Sequence, residues 1–340
     1  MFGFTKRLGI DLGTANSVVW LAGTGVVLNE PTVVAVTAED GRVVAVGNEA
    51  KEMLGRTPGN ISASRPMRDG VIADYRITEA MLRYFIDRAV GKNRIVKPEV
   101  MICVPTGASQ VERRAVIDAT MAAGARVAYL IEEPLAAAIG AKIPIAQASG
   151  HMIVDIGGGS TEAAVISLGG VVVHKSARVA GNKVDEAIAN FVKKQYNLII
   201  GETTAENIKI TIGDALVGEM GNKESTTMEV RGRDAVSGLP RIITLSRAEL
   251  SAAITPVLHH VISAIKAVLE ETPPELAADI IDKGIVMAGG TSLLRNFDKL
   301  VTKMTGVPAH VADEPLLCVV RGTGVAIENI ELYKRSVSKK

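Results

Sequence analysis

Aromatic side chains are scarce in this sequence, where phenylalanine, tyrosine and tryptophan make up 3% of the 340 residues. The apolar content is nevertheless 47%, mainly valine, isoleucine, leucine and alanine, so large cores can be buried and disorder is not expected. This aliphatic mixture is typical of parallel strands that are buried on both faces and covered by helices. At roughly 150 residues per domain, the length predicts about two domains.

An excess of charge of one sign is also missing, because 38 lysine and arginine residues balance 37 aspartate and glutamate residues. The chain therefore has no general electrostatic basis for binding nucleic acid, and we expect no nucleic-acid partner. The basic C-terminal tail, residues 334–340, is interpreted as a solvated end.

Long apolar runs are absent too, since none approaches the roughly 20 residues of a membrane-spanning helix. Lys6 and Arg7 follow Phe2 and Phe4 without the apolar core of a signal peptide. The two cysteines lie far apart in apolar stretches and are predicted to be buried free thiols, and the five histidines show no metal-ligand spacing. These features predict a cytoplasmic protein.

The chain repeats itself in two ways. The segment GIDLGTAN (9–16) is echoed by VDIGGGST (154–161), and Glu133-Pro134-Leu135 is echoed by Glu314-Pro315-Leu316. In both halves three short strands precede alternating helices and strands. The repeat predicts an α/β protein with two lobes of duplicated βββαβαβα order and a ligand cleft between them.

The repeat also predicts where the lobes divide. Lobe I is expected to comprise residues 1–145 together with 315–340, and lobe II residues 146–314. Segments at about 32–66 and 181–240 are interpreted as insertions that deepen the cleft.

In both 9–16 and 154–161, a predicted apolar strand ends at an aspartate, Asp11 or Asp155, and a turn that contains glycine follows. Glycine lets backbone N–H groups approach an anion, and a nest of such groups holds phosphate oxygens. A carboxylate at a strand end can hold Mg²⁺ through the metal's waters. One Asp-x-Gly turn alone is more often an ordinary turn, but two in equivalent places predict a clamp on one polyphosphate.

Three further positions have both a functional and a structural interpretation. Glu133, before a proline at a helix start, could act on a ligand or only complement the helix dipole. Glu206 could face a ligand or form a capping box with Thr203. Gly289-Gly290, between a predicted strand at 285–288 and a predicted helix at 293–304, could be a plain turn or let a nucleotide approach the backbone.

The two Asp-Gly loops alone would fit any actin, chaperone or sugar-kinase relative, but their combination with RPMRDGVIADY (65–75) and GETTAENIK (201–209) is much more specific. Three further segments carry the same resemblance: VPTGASQVERRAV (104–116), IEEPLAAAIGA (131–141) and ETPPELAADIIDKGI (271–285). With these segments, nearly the whole chain resembles the MreB/Mbl family of bacterial actin-like, rod shape-determining proteins.

The resemblance implies an actin-like (ribonuclease H-like) fold of four subdomains, with the insertions as IB and IIB on the larger IA and IIA. It places ATP or ADP with Mg²⁺ in the cleft, the metal held through water by Asp11 and Asp155. Glu133 would orient the attacking water, with Ser160 and Asp155 as further catalytic residues. The other implied nucleotide contacts are Gly13, Thr14, Ala15, Asn16, Gly157, Gly158, Gly159, Ser160 and Thr161 in the loops, Glu206 and Lys209 at the ribose, and Gly289 and Gly290 at the adenosine side.

The chain departs from the family pattern at two places. The family usually has threonine where Ser160 stands, a change that keeps the hydroxyl. It usually reads Thr-Gly-Gly-Gly where this chain has Ala288-Gly289-Gly290-Thr291. A β-branched threonine would fit poorly at position 291 if that position required a positive φ.

The resemblance also implies a filament that associates with the membrane, organises peptidoglycan synthesis and determines rod shape, with slow ATP hydrolysis timing polymerisation. Its expected partners are further copies in double protofilaments, the inner membrane lipid surface, and elongation proteins such as RodZ, MreC and MreD. Phe2, Phe4, Ile95 and Val96 are the candidate membrane contacts, although the last two could instead begin a core strand. Each side chain buried in the membrane would contribute about 1.5–3 kcal/mol to binding. One subunit would therefore bind the membrane weakly, whereas a filament with many copies would bind it firmly.

Two other functions share the predicted fold. A small-molecule kinase would need a catalytic base facing an acceptor in the cleft, and no motif marks one. A chaperone-type ATPase would need a peptide-binding domain, for which the chain leaves no room.

Overall fold

The computed structural model of the protein describes residues 5–92, 96–216, 226–334 and 336–339. Three of the four predicted membrane contacts, Phe2, Phe4 and Ile95, lie outside these ranges. The first half of the chain alternates short strands with four helices. In chain order its elements are β1 (Arg7–Leu12), β2 (Asn16–Leu21), β3 (Gly25–Pro31), β4 (Val34–Thr37), β5 (Val43–Val46), α1 (Asn48–Met53), β6 (Ile61–Ser64), β7 (Met67–Arg68), β8 (Val71–Ile72), α2 (Tyr75–Val90), β9 (Glu99–Val104), α3 (Gln110–Ala122), β10 (Val127–Glu132) and α4 (Glu133–Gly140).

The second half begins with another run of three strands. Its elements are β11 (His151–Ile156), β12 (Thr161–Ser167), β13 (Gly170–Ala177), α5 (Gly181–Tyr196), β14 (Leu198–Ile199), α6 (Glu202–Ile212), β15 (Thr227–Asp234), β16 (Pro240–Ser246), α7 (Arg247–Glu271), α8 (Pro274–Lys283), β17 (Ile285–Ala288), α9 (Phe297–Thr305), β18 (Ala309–Val311), α10 (Cys318–Glu328), α11 (Ile330–Tyr333) and β19 (Val337–Lys339). Two 3₁₀ turns, Gly290–Leu293 and Pro315–Leu317, precede α9 and α10.

The two main sheets share their topology over five strands, and the last strand, β19, adds a sixth to the first sheet. One has the strand order β19-β10-β9-β1-β2-β3 and the other the order β13-β12-β11-β17-β18. In each sheet the first strand is antiparallel to the second and parallel to a later strand, as β1 is to β2 and β9, and as β11 is to β12 and β17. The predicted duplication is therefore confirmed at the level of strand order, and the Asp-Gly turns occupy equivalent ends of β1 and β11.

Each sheet carries one smaller sheet beside it. The strands β5, β4 and β6 pair with one another to form a three-stranded sheet. Together with α1 they come between β3 and α2 in the order of the chain. In the other half, β14, β15 and β16 form a second three-stranded sheet, with α6 between β14 and β15. The first small sheet and the strands β14 and β15 fall in the two segments interpreted as insertions, but β16 extends beyond residue 240, the expected end of the second segment.

Aliphatic side chains fill the interior on both faces of the main sheets, as the composition suggested. All six residues of β11 are buried, which is typical of a central parallel strand covered on both sides. By length and hydropathy alone, α7 is the one helix among the described residues that could cross a membrane. Its Leu250, Ile254, Leu258 and Val261 are buried in the core against α5 and β12, so it is a core helix of lobe II.

The second sequence echo forms the joint between the sheets. Helix α4 begins at Glu133, α10 follows the turn that starts at Pro315, and the two helices pack against each other. A Cβ added at Gly140 would overlap the carbonyl oxygen of Cys318, and one added at Gly322 would overlap that of Ala136. The reciprocal glycines allow the two backbones to touch where the helices cross.

Two expectations about local structure were wrong. The C-terminal tail is not a solvated end throughout, because β19 pairs antiparallel with the edge strand β10. The helix expected at 293–304 begins later, at Phe297, because Asn296 has a left-handed φ of 58° and the residues 290–293 form a 3₁₀ turn. Cys103 and Cys318 are free and buried, as predicted.

Candidate functional site

A large cleft of about 1200 Å³ lies between the two main sheets and is big enough for a nucleotide. Of the sixteen residues predicted to bind or process the nucleotide, fifteen line it and Thr161 does not. The hydroxyl of Thr161 instead donates to the Val179 carbonyl oxygen at 2.6 Å, inside lobe II. Folding therefore brings the predicted set together from five separate segments of the chain.

The two Asp-Gly loops face each other across the base of the cleft. A Cβ added at Gly158 would lie 2.7 Å from the Cβ of Ala15, and one added at Gly159 would overlap the hydroxyl of Thr14. None of the glycines 157–159 has a positive φ. Positions 158 and 159 therefore require glycine because one loop approaches the other closely, a reason that the sequence did not reveal.

The specific segment at 65–75 folds beneath this contact as the β7–β8 hairpin. Its turn residues Asp69 and Gly70 have φ of 50° and 81°, and the Gly70 N–H donates to Thr14 Oγ1 at 3.0 Å. A Cβ at Gly70 would lie 3.0 Å from Ser160 Oγ. The hairpin thus touches both loops, and sequence reasoning had assigned it no place in the site.

Four carboxyl groups gather below the loops: Asp11, Glu133, Asp155 and Glu162. Burial raises the pKa of Asp11 to about 6, although a hydrogen bond from Cys103 opposes the rise. Burial, and then the charges of Asp11 and Glu162, raise the pKa of Asp155 to about 8. Burial and the charges of Glu162, Asp155 and Asp11 hold the pKa of Glu133 well above its ordinary value. Sequence reasoning missed Glu162, whose position two residues after Ser160 on a strand would have suggested it.

The cluster has the character of a cation site. Asp155 Oδ1 is buried and has no hydrogen-bond partner among the described residues, which costs free energy unless a cation or a water molecule reaches it. Within the same described ranges, no group of three potential ligands is arranged to bind a metal directly. The arrangement fits a Mg²⁺ ion that keeps most of its waters and meets Asp11 and Asp155 through them.

Glu133 stands at the first position of α4, as the sequence suggested. The N-cap residue Glu132 makes no side-chain capping bond, and Glu133 lines the cleft. The acid is therefore placed for contact with a ligand, and any interaction with the helix dipole is additional.

Glu206 does not form the capping box that the sequence also allowed. The cap of α6 is Gly201, and both Thr203 and Glu206 lie inside the helix. Glu206 instead accepts a hydrogen bond from Lys51 of α1 at 2.9 Å, across the mouth of the cleft. Burial acts to raise the pKa of Glu206, but the hydrogen bond and charge of Lys51 outweigh it, and the pKa is lowered.

A second ion pair crosses the mouth beside the first. Arg65 lies 3.7 Å from Glu202 of α6, and it also donates to the Ala15 carbonyl oxygen at 3.4 Å. The first Asp-Gly loop is therefore linked through Arg65 to α6 of the opposite lobe. Deeper in the cleft, Lys209 pairs with Asp185 at 2.9 Å, and Asp185 Oδ1 has no partner among the described residues.

The far end of the cleft is apolar. Ile210, Leu293 and Leu316 line it although they are 71%, 56% and 45% exposed. Gly289 has a φ of 81°, and a Cβ there would lie 2.7 Å from Asp155 Oδ1. Position 291 does not require a positive φ, so Thr291 fits without strain.

Val96 is the one predicted membrane contact that the structure describes. It is 43% exposed and precedes β9 by three residues, so it does not begin a core strand. Lys6 is joined to both ends of the α2–β9 connection: its Nζ donates to the Val90 carbonyl oxygen at 3.3 Å and its own carbonyl accepts from the Glu99 N–H. The N-terminal segment therefore enters lobe I beside this connection.

Comparison with known proteins agrees with this architecture. Residues 5–335 match the model of the MreB/Mbl protein family. The cell shape-determining protein MreB of Escherichia coli (strain K12) is 51% identical in an alignment covering 97% of this chain and 95% of that protein. The cell shape-determining protein Mbl of Bacillus subtilis (strain 168) is 48% identical, with coverages of 98% and 100%.

Solved structures show the same fold. The crystal structure of MreB5 of Spiroplasma citri bound to AMPPNP superposes with a TM-score of 0.91 at 36% identity, covering 98% of this chain and 99% of that one. A MamK double helical filament has a TM-score of 0.80 at 23% identity and bears on the fold alone. The predicted actin-like fold is confirmed, and the chain belongs to the MreB/Mbl family.

Proposed function

We propose that the protein is an ATP-binding, filament-forming cytoskeletal protein that hydrolyses ATP slowly as it polymerises. The observation that carries the proposal is the base of the cleft, where two phosphate loops meet above a cluster of buried carboxyl groups. MreB5 of Spiroplasma citri has been crystallised bound to AMPPNP and also bound to ADP. These ligands occupy a relative of similar fold, and they support the same ligand class here.

Magnesium is proposed as the resident cation. Asp11 and Asp155 would hold it through water. Its waters would then supply the hydrogen bond that the buried Asp155 Oδ1 lacks among the described residues. When bound, the ion would neutralise charge on the phosphate oxygens. It would also relieve the mutual repulsion of the buried carboxylates.

Glu133 and Ser160 are proposed to act on the attacking water. Glu133 lies at the base of the cleft, at the first position of α4, and its carboxylate is placed to accept a proton from a water molecule there. Ser160 sits 9% exposed at the end of the second loop and can supply a hydroxyl to the same water. Asp155 supports them through the metal.

The nucleotide is proposed to lie with its phosphates between the loops Gly13–Asn16 and Gly157–Ser160. Glu206 and Lys209 would meet the ribose, and the free oxygen of Asp185 adds an acceptor there. Gly289 and Gly290 would let the adenosine approach the backbone, with Ile210, Leu293 and Leu316 against the purine faces. This apolar wall was not part of the sequence prediction.

The two lobes are proposed to divide at residues 145 and 315, with α10 and β19 returning to lobe I. Packing of α10 on α4 and pairing of β19 with β10 support this division. Nucleotide between the lobes would favour the form that assembles into double protofilaments. Such filaments would organise peptidoglycan synthesis for rod shape, together with RodZ, MreC and MreD.

The inner membrane face is the proposed location of the filament. Val96 is exposed, and the α2–β9 connection that holds it is bonded to Lys6, which follows Phe2 and Phe4 closely in the sequence. Lys6, Lys92 and Lys97 add positive charge to the same place, which favours anionic lipid. One subunit would bind weakly, while many aligned subunits would bind firmly.

Sedimentation with liposomes containing anionic lipid tests assembly and membrane binding together. We expect the protein to pellet in the presence of ATP and to bring the liposomes with it. In protein lacking Phe2 and Phe4, the double change Ile95→Asp and Val96→Asp should abolish co-pelleting while filaments still form. Val172→Asp is the matched control, because Val172 is 46% exposed on the other lobe. Undiminished lipid binding by the quadruple variant would refute the membrane proposal.

Lys51→Ala should accelerate nucleotide release, because Lys51 and Glu206 close the mouth of the cleft over the proposed ribose position. Partly exposed ion pairs contribute roughly 0.2–1 kcal/mol, so we expect an increase of about 1.5- to 5-fold in the dissociation rate of a fluorescent ADP. High salt should reduce the difference. Lys51→Arg should restore slow release, and Arg56→Ala, in the same insertion, should have no effect. An unchanged rate in Lys51→Ala at low salt would show that the pair does not retain nucleotide.

A further inference from the structure

Thr291 is an unusual residue in a position that touches the second phosphate loop. It is 6% exposed in the 3₁₀ turn after β17, and its hydroxyl donates to the Gly157 carbonyl oxygen at 2.7 Å. The Gly181 N–H donates to the same oxygen at 3.2 Å. One carbonyl of the loop is thus held by two donors from two other parts of lobe II.

This carbonyl controls the direction of a backbone N–H. In a trans peptide the C=O and the following N–H point in opposite directions, so the orientation of Gly157 C=O determines that of the Gly158 N–H. Three consecutive glycines, 157–159, have more conformational freedom than any other tripeptide. Without external hydrogen bonds, the loop would lose much of that freedom only when a ligand binds, which weakens binding.

The same bonds continue towards α6. Gly181 accepts a hydrogen bond from Lys209 Nζ at 3.3 Å, and Lys209 pairs with Asp185. A Cβ at Gly181 would lie 2.7 Å from Thr291 Oγ1, so the threonine occupies the space that this glycine leaves open. The hydroxyl therefore joins the turn after β17, the second phosphate loop and the start of α5 in one network.

We propose that Thr291 is a positioning residue for phosphate binding: its hydroxyl orients the Gly157–Gly158 peptide and so prepares the second loop before the nucleotide arrives. Its role is not to contact the adenosine, although it lies on that side of the cleft. The inference rests on the proposed nucleotide function and names the group of the nucleotide on which the residue acts.

Three variants test the inference. Thr291→Val removes the hydroxyl and keeps the shape, Thr291→Ser keeps the hydroxyl, and Thr291→Gly removes both. Dissociation constants for ADP and AMP would be measured by competition with a fluorescent nucleotide. Loss of one buried hydrogen bond should weaken ADP binding about fivefold in Thr291→Val. Thr291→Gly should weaken it at least as much, and Thr291→Ser should stay within about twofold of the parent. AMP, which lacks the β-phosphate, should change little in all three.

Hydrogen exchange in the nucleotide-free protein gives a second readout. Amides in the segment 154–161 should exchange faster in Thr291→Val than in Thr291→Ser, which reports loop order without any ligand. Equal weakening of ADP and AMP would place the effect at the adenosine end and overturn the inference. Unchanged ADP affinity together with unchanged exchange would also overturn it. Failure of the parent protein to bind either nucleotide would instead refute the proposed function, and the exchange result would still decide whether Thr291 orders the loop.

Discussion

Replacing Glu133 with glutamine should slow ATP hydrolysis by about 10²–10⁴-fold and leave nucleotide affinity nearly unchanged. The amide keeps the shape of the side chain at the start of α4 but cannot accept the proton of the attacking water. Release of phosphate after a single turnover measures the hydrolysis step, and binding of a fluorescent nucleotide measures the affinity. Filaments should still form with ATP and should disassemble more slowly.

The neighbouring acid provides the control. Glu132 is paired with Arg113 at 3.0 Å and does not line the cleft. Glu132→Gln should therefore hydrolyse ATP at close to the parent rate. Equal rates for the parent and Glu133→Gln would remove Glu133 from the proposed mechanism, whatever the effect on assembly.

Replacing Asp155 with asparagine should stabilise the metal-free, nucleotide-free protein above neutral pH while eliminating Mg²⁺-dependent nucleotide binding. The pKa of Asp155 is about 8 in the folded protein and 3.8 for a freely solvated aspartate, mainly because of burial. The folded state thus binds this proton more tightly than the unfolded state. Its contribution to stability is complete below about pH 4 and is lost as the pH rises through about 8.

The expected gain from Asp155→Asn at pH 8–9 is on the order of 5 kcal/mol, because the pKa rises from 3.8 to about 8 on folding and each pKa unit corresponds to about 1.4 kcal/mol. Denaturant unfolding in EDTA from pH 5 to 9 would show a falling stability for the parent and a flatter profile for the variant. Asp234→Asn is a control of opposite sign, because hydrogen bonds from the Ser237 N–H and from Arg241 lower the pKa of Asp234. That change should destabilise the protein at neutral pH. A parent profile that does not fall between pH 6 and 9 would contradict the assigned cause.

The duplicated fold could be predicted because the same pattern of residues occurs twice in the sequence. In both halves an aspartate stands near the end of the first strand and is followed by small residues, so the echo at Asp11 and Asp155 marks equivalent points of the two lobes. The strand at 285–288 was also predicted correctly, because it is a short apolar run that ends at two glycines. Local patterns of this kind depend only on neighbouring residues.

What could not be predicted depends on pairing between distant residues. The strand β19 forms from a basic tail only because β10 leaves an open edge beside it. Lys51 and Glu206 are 155 residues apart, and nothing near either residue indicates the other. Thr203 and Glu206 have the spacing of a capping box, but the cap of α6 is the earlier residue Gly201, and this start turns Glu206 into the cleft.

The glycines of the second loop also determine how far apart the lobes can be. Gly158 and Gly159 rest against Ala15 and Thr14 of the other lobe with no space for a methyl group. A side chain added there would push the two loops apart. The loops meet at the base of the cleft and the Lys51–Glu206 pair lies at its mouth, so the lobes would rotate away from each other. A small shift at the loops would be magnified at the mouth. We therefore expect a side chain at either of these two positions to lengthen or break the bond between Lys51 and Glu206.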